Sequence, residues 1–263
     1  MIRLGPSLAL LAAVGLLAGC GKSEPSESTG KRKPGPPVHA GAARARALTF
    51  ARAINLRAAD VPGFVATDKG KEPETPAEKR LQAKLQACVR PISTRPVAEA
   101  GSPEFQRKAG LARATVHSEV TVAPSAAAAR QELALIRSQR TRECVSGYIE
   151  RLVESQRHPG ASFGGVTVVQ RTPRAPGAGG SFAWRISVPV TSHGLTIGVY
   201  FDIFGFVSGA NEVTLSLSGV PAPPPAEAEE QLFVLLLERT KAAEKGHGGG
   251  HVHGGPNLYV RPS

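Results

Sequence analysis

The chain has 263 residues, 41% of them apolar and 5% aromatic, with 32 Lys and Arg against 21 Asp and Glu for a formal charge of +11. That length suits one domain with tails, and it buries an ordinary core without a metal staple. Three Cys exclude a disulfide-dense mini-protein and a four-Cys zinc site, and the three Asp (Asp60, Asp68 and Asp202) disfavour multi-carboxylate Ca²⁺ or two-metal Mg²⁺ chemistry.

Met1-Ile2-Arg3 is a short basic start, Leu4 to Leu17 carries no charge, and Leu17-Ala18-Gly19-Cys20 follows at once. This is the pattern of a signal peptide over 1–19. A transmembrane helix needs about 20 apolar residues, and the polar run from Gly21 leaves this segment too short. Leu-Ala-Gly-Cys resembles a bacterial lipobox, in which the Cys becomes the acylated first residue of the mature protein. An ordinary secretory signal, or an anchor, that happens to end in Cys is the alternative. Several acyl chains, at about 0.8 kcal/mol per buried CH₂, hold a protein on a bilayer far better than one does. The expected location is therefore the cell membrane, lipid-anchored through Cys20 on its extracytoplasmic side.

Residues 20–46 read as the anchor and a disordered basic linker. Lys22, Lys31, Arg32, Lys33, Arg44 and Arg46 outweigh Glu24 and Glu27, and Pro34, Pro36 and Pro37 keep the stretch extended. The linker's charge suits an anionic bilayer or a solvated stalk equally. Nucleic acid is disfavoured as a partner by the outside location and by the lack of aromatic-basic interleaving.

A single domain is expected over 47–244. Ala47 to Ile54 opens it, Arg57 to Asp60 form one helical turn, and 65–74 is a polar loop. Thr75-Pro76-Ala77-Glu78 combines a cap, a Pro at the first helical position and a capping box. Ala77, Leu81, Leu85 and Cys88 then form one stripe that stops at Pro91. Residues 92–110 read as irregular. From Ala112 the period becomes two: Ala114, Val116, Ser118, Val120 and Val122 share one face of a strand, and Arg113, Thr115, His117, Glu119 and Thr121 the other. Pro124-Ser125 opens an Ala-rich helix carrying Ala129, Leu133 and Ile136. A further helix over about 141–156 carries Cys144, Tyr148 and Leu152, with Val145 and Ile149 beside them.

A strand near 163–171 and a Pro/Gly loop over 173–180 come next. Three alternating runs then follow: Phe182 to Val190, Leu195 to Ile203, and Val213 to Leu217. Ser192-His193-Gly194 and Ser208-Gly209-Ala210-Asn211 supply the turns of this antiparallel meander. A last helix near 225–244 begins with Glu227, Glu229 and Glu230 and ends with Arg239, Lys241 and Lys245, in the order that the helix dipole favours. The fold class is α+β: an antiparallel sheet of four to five strands, with helices covering one face.

Cys88 and Cys144 remain once Cys20 is the anchor. An even pair in an exported chain most simply forms a disulfide. Closing so long a loop stabilises by on the order of 4 kcal/mol on the chain-entropy account. A redox pair and two buried thiols are the alternatives.

The order of features resembles a known family. A lipobox and polar linker precede Ile54-Asn55-Leu56-Arg57-Ala58-Ala59-Asp60-Val61-Pro62-Gly63-Phe64. A helix ending in Cys88 follows, then Ser118-Glu119-Val120-Thr121-Val122, an Ala-rich helix, Cys144 and the meander. This resembles actinobacterial exported lipoproteins related to the extracellular sensor domain of PknH-type receptor Ser/Thr kinases. The resemblance covers roughly 47–240. It implies a non-enzymatic α+β domain with a cleft for a ligand, and no ligand residue carries over position by position. The kinase pattern has two disulfides, and this chain has cysteines for one. No kinase segment is present, so a signalling role would act through a partner.

Little in the chain points to catalysis. There is no G-x-S-x-G elbow, P-loop or dinucleotide fingerprint. His117 and Glu119 share the polar face of a strand and His193 sits in a turn, which reads as polar side chains meeting solvent. The tail over 245–263 is rich in His and Gly: His247, His251 and His253 are spaced to meet on one Zn²⁺, Ni²⁺ or Cu²⁺, or they belong to a polar tail. The reading is a sensor-like or ligand-binding lipoprotein whose ligand is small, lipid-like or cell-wall-derived. Its site would be a cleft between sheet and helices, rimmed by loops 90–110 and 172–181. A metal-binding lipoprotein using the tail is the alternative, and an envelope hydrolase is a third.

Overall fold

Residues 38–67, 75–90, 95–155 and 160–248 are described by a computed structural model. In chain order they form α1 (Val38–Ile54), a 3₁₀ turn (Ala58–Asp60), β1 (Val65–Thr67), α2 (Pro76–Val89), β2 (Ala98–Gly101), β3 (Glu104–Ala109) and β4 (Ala112–Val122). Next come α3 (Ala126–Ile136), α4 (Gln139–Ser155), β5 (Ala161–Phe163), β6 (Thr167–Arg171), β7 (Gly180–Ser192), β8 (Leu195–Ser208), β9 (Asn211–Val220) and α5 (Ala226–Gly248).

The strands form one antiparallel sheet in the order β1-β3-β4-β9-β8-β7-β5. β2 continues the column of β3 along β4, and β6 continues the column of β5 along β7. The interruptions fall at Ser102-Pro103 and Gly164-Gly165. The expected four to five strands are thus corrected to nine among the described residues. β2 and β3 lie in the stretch read as irregular, and β1 in the loop read as polar. Such short edge strands carry too few residues to show a period. β2 and β3 each seat one buried side chain, Ala98 and Phe105, and the ladder to β4 holds them.

Helices lie on both faces rather than one. α2, α3 and α4 pack on what we term the first face, where Leu85, Val89, Leu133, Val145, Ile149 and Leu152 meet Phe182, Trp184, Ile186, Phe201 and Ile203. α1 and α5 pack on the second face, where Phe50, Ile54, Phe233, Leu236 and Leu237 meet Phe105, Val116, Val120, Phe206 and Leu215. The first layer covers the β7–β8 side of the sheet and the second covers the β3–β4–β9 side, so the two cores are diagonally offset.

Local signals act as the sequence suggests at several points. Thr75 Oγ1 accepts the Glu78 N–H at 3.2 Å, and Glu78 Oε2 accepts the Thr75 N–H at 2.8 Å. Ser125 caps α3 through the Ala128 N–H at 3.1 Å. His193 and Gly194 both adopt positive φ, as a two-residue hairpin turn requires. Gly205 is required by a close approach: a Cβ there would stand 2.3 Å from a Phe182 ring carbon.

Cys88 and Cys144 form a disulfide between α2 and α4, with Cα atoms 5.8 Å apart and 56 positions apart in the chain. Cys144 is buried, whereas Cys88 is exposed. The buried stripe of α2 runs through Leu85 and Val89, and Cys88 lies beside it rather than in it.

The quoted motif around Ile54–Phe64 is a structural corner. Asn55, 4% exposed, donates from Nδ2 to the Ala51 and Ala100 carbonyls at 3.1 and 2.7 Å, and accepts at Oδ1 from Ser118 Oγ at 2.8 Å. Ser118 Oγ in turn accepts the Leu56 N–H at 2.8 Å. Asp60 receives the Arg57 N–H and two bonds from Arg239 of α5, at 2.7 and 2.6 Å. The corner therefore ties α1, β2, β4 and α5 together. Asn55→Ala strands Ser118 Oγ and the Ala100 carbonyl inside the core. It is expected to cost about 1–3 kcal/mol in a urea titration with an unchanged slope.

Candidate functional site

The long strands are amphipathic in different places. On the first face β7 and β8 present Trp184, Ile186, Phe201 and Ile203, and the helices cover them. On that same face β9 presents Thr214, Ser216 and Ser218, and β4 presents Thr115, His117 and Glu119. The register places Thr115 opposite Ser218, His117 opposite Ser216 and Glu119 opposite Thr214. Among the described residues, α3 is the element of the first helical layer that packs on β9. The outcome is a strip of hydroxyls with one imidazole and one carboxylate, set beside an apolar wall. Ile203 adjoins Ser216, and Phe201 adjoins Ser218.

The strip sits low in the surface. Ser218 is 4%, Ser216 6% and Thr115 8% exposed, and Thr115 and Ser218 share a hydrogen bond of 2.7 Å. His117, Glu119 and Thr214 are half-buried. A hydroxyl, an imidazole and a carboxylate thus occupy neighbouring positions, as a hydrolase would need. The backbone beneath them differs from a hydrolase's. β9 lies between β4 and β8, and β4 lies between β9 and the β2–β3 column, so the amides here serve the ladder rather than an oxyanion.

A carboxyl pair closes the upper end of the strip. Glu212 follows in the same β9 row, opposite Thr121, and Glu132 approaches it from α3. Burial, with a contribution from the Glu132 charge, pushes the Glu212 carboxyl up to about 8. Burial also raises Glu132. Glu212 Oε1 is buried without a hydrogen-bond partner, as is Trp184 Nε1 in the adjoining core.

A second charged cluster lies on the opposite face, under the start of α5. Arg185 of β7 meets Asp202 of β8 at 2.6 and 3.0 Å and Glu229 of α5 at 2.6 Å. Both carboxylates are buried, and one guanidinium serves the two. Burial, then repulsion from Asp202, raises Glu229 to about 7 against the opposing pull of Arg185. Asp60 behaves oppositely: burial alone would raise it, but the hydrogen bonds from Arg239 and the Arg57 amide hold it below its ordinary value.

Of the residues singled out in the sequence, Cys88 and Cys144 are joined, and His117 and Glu119 lie mid-strip rather than on an open surface. His193 is in the β7–β8 turn. His247 falls at the end of α5. Cys20, His251 and His253 lie outside the described residues, as do 91–94 of the first expected rim. The remainder of that rim is largely β2 and β3. The second rim, 172–181, packs down: Ala175 and Ala178 join the second core, and Arg137 Nε donates to the Ser181 carbonyl at 2.8 Å. Sequence reasoning missed Ser216, Ser218 and Glu212, although their alternation with Val213, Leu215 and Leu217 was a legible signal. It also missed the Arg185 cluster, whose members are distant in the chain.

No protein-family model matches the chain, and no curated protein sequence matches it. Among solved structures it is similar to the crystal structure of the extracellular domain of PknH from Mycobacterium tuberculosis. The identity is 12% and the TM-score 0.31, over 66% of this chain and 100% of that chain. No functional residue is carried across from it.

The raised carboxyls have a testable consequence. A carboxyl that binds its proton more tightly in the fold costs stability as pH rises from its ordinary value through its raised one. For Glu212 that window runs from 4.5 to about 8. Glu212→Gln is therefore expected to melt above the parent protein at pH 8, with the gap closing towards pH 4.5. A gap independent of pH would assign the effect to something other than the Glu212 proton.

Proposed function

We propose that the chain is a lipid-anchored, extracytoplasmic, non-enzymatic binding domain whose ligand rests on the hydroxyl strip of the first face. The observation that carries this reading is the strip itself. Thr115, Thr214, Ser216 and Ser218 offer groups that both donate and accept, and Phe201 and Ile203 border them with apolar surface. That pairing suits a ligand with a hydroxyl-rich part and an apolar part, such as a glycan or a glycosylated lipid headgroup. The ladder-bound amides beneath the strip support binding over acyl transfer.

The extracytoplasmic placement is supported by the leader, by the Leu17-Ala18-Gly19-Cys20 signal and by the Cys88–Cys144 disulfide, which persists in oxidising surroundings. Among the described residues no helix is long and apolar enough to cross a membrane. Attachment in this reading falls to Cys20.

Native mass spectrometry of the protein purified from its own host tests the site. A bound mass is expected on the parent protein and is expected to be lost in Thr214→Leu, which fills the strip at a half-buried position. Retention of that mass by the variant would move the ligand elsewhere. Cys20→Ala is expected to leave the membrane fraction; if it stays there, the anchor is not this cysteine.

A further inference from the structure

β8 is longer than the strand beside it. It pairs with β7 from Leu195 to Val207, but its pairing with β9 begins at Tyr200, opposite Gly219. Residues 195–199 thus have no ladder partner on their outer edge among the described residues. The chain cannot extend β9 to cover them. Pro221, Pro223, Pro224 and Pro225 supply no N–H, and the connector turns onto the second face, where Ala222 and Pro224 crowd Gly219.

The polarity of that edge is fixed by a proline. Pro189, opposite Gly198, directs its carbonyl away from β8 to the Gly164 N–H at 2.8 Å. The Pro189–Gly198 pair is therefore a non-hydrogen-bonded pair, and by alternation Thr196 and Gly198 turn both N–H and C=O outward. On the first face this edge carries Leu195, 63% exposed, with Ile197 and Val199 half-buried.

Beyond Val220 the column is vacant, and across it, about 10 Å from β8 by strand spacing, stands the tip of the β3–β4 hairpin. Arg113, opposite Val220, flanks the mouth of the vacant stretch, and Lys108 opposes it from β3 on the same first face. Like charges so placed destabilise a hairpin, and no ion pair reaches either among the described residues. Leu111, 80% exposed, sits at the tip.

We propose that this slot receives one extended segment of a partner protein as an added strand. Its backbone pairs with Thr196 and Gly198, a carboxylate next to the end of β9 reaches Arg113 with Lys108 behind it, and its apolar side chains lie over Leu195 and Ile197. Strand addition of this kind takes affinity from main-chain bonds and specificity from alternate side chains. A second copy of this chain fits worse. Its own β7–β8 hairpin is two strands wide, and pairing about Ile197 would drive it into the β3–β4 tip at Gly110 and Leu111, which lies just past the Arg113–Val220 pair.

The test is a fluorescence-anisotropy titration of the full chain with an extended octapeptide alternating Thr with Val or Glu, against its counterpart with Lys for Glu. Thr196→Pro removes an outward N–H and spares the β7 ladder; Lys108→Glu with Arg113→Glu reverses the wall. The acidic peptide is expected to bind the parent protein and to weaken about tenfold or more in each variant. The charge-reversed variant is expected to take the Lys peptide instead. In the parent protein the Thr196 and Gly198 amides are expected to exchange freely and to gain protection with the acidic peptide, a readout that needs no variant to fold. Absence of binding at millimolar peptide, indifference to peptide charge, or unchanged amide exchange would each overturn the proposal. So would concentration-dependent dimerisation abolished by Thr196→Pro, which would give the slot to a second copy.

Discussion

Strand β8 passes between two cores. Phe201, Ile203 and Val207 belong to the first, and Phe204 and Phe206 face the second, with Asp202 and Gly205 filling the alternate positions where bulk is excluded. A pleated strand sends successive side chains to opposite faces, so a strand buried on both sides must be apolar in both registers. The rest of the molecule follows from this one doubly buried strand. A sheet seven columns wide spans about 30 Å, while a helix is about 10–12 Å across, so neither helical layer covers a whole face. Each layer covers the half that its neighbouring strands make apolar, and the two halves meet at β8.

The polar chemistry gathers in the quarters outside the two apolar cores. On the first face it is the Thr115–Ser218 strip; on the second it is the Arg185–Asp202–Glu229 cluster beneath the start of α5. The cluster holds two buried carboxylates against one guanidinium, and burial together with the Asp202 charge raises the Glu229 carboxyl to about 7. A buried ion pair of this sort recovers little net stability after desolvation. With Arg239–Asp60 it fixes where α5 sits along the sheet, one contact near each end of the apolar run Phe233–Leu237. Burial and the Asp202 charge raise Glu229 of α5, whereas the Arg239 and Arg57 hydrogen bonds outweigh burial at Asp60 and lower it.

Unequal strand lengths produce the second feature of interest. β7 and β8 run past the end of β9 because Pro221 stops it, and the resulting edge is aligned with a cationic hairpin. The strip and the slot follow one another along the β9 column on one face, the strip ending at Ser218 and the slot beginning beyond Val220.

Much of the molecule was legible in the order of residues. The meander, the capping box at Thr75–Glu78, α3, α4, the last helix and the Cys88–Cys144 bridge all rest on local periodicity or on simple cysteine pairing. α1 extends back to Val38, into the stretch read as linker, because Ala and Arg are good helix formers even where no apolar stripe marks them. The short strands β1, β2, β3 and β5 were not legible, since a strand of three to six residues takes its conformation from the neighbour that pairs with it. The face on which each helix packs is likewise set by which quarter of the sheet needs cover. The alternation of β4 and β9 was written in the sequence. That Thr115 meets Ser218 and that Glu132 meets Glu212 were decided by tertiary pairing between residues roughly eighty to a hundred positions apart, which has no local signature.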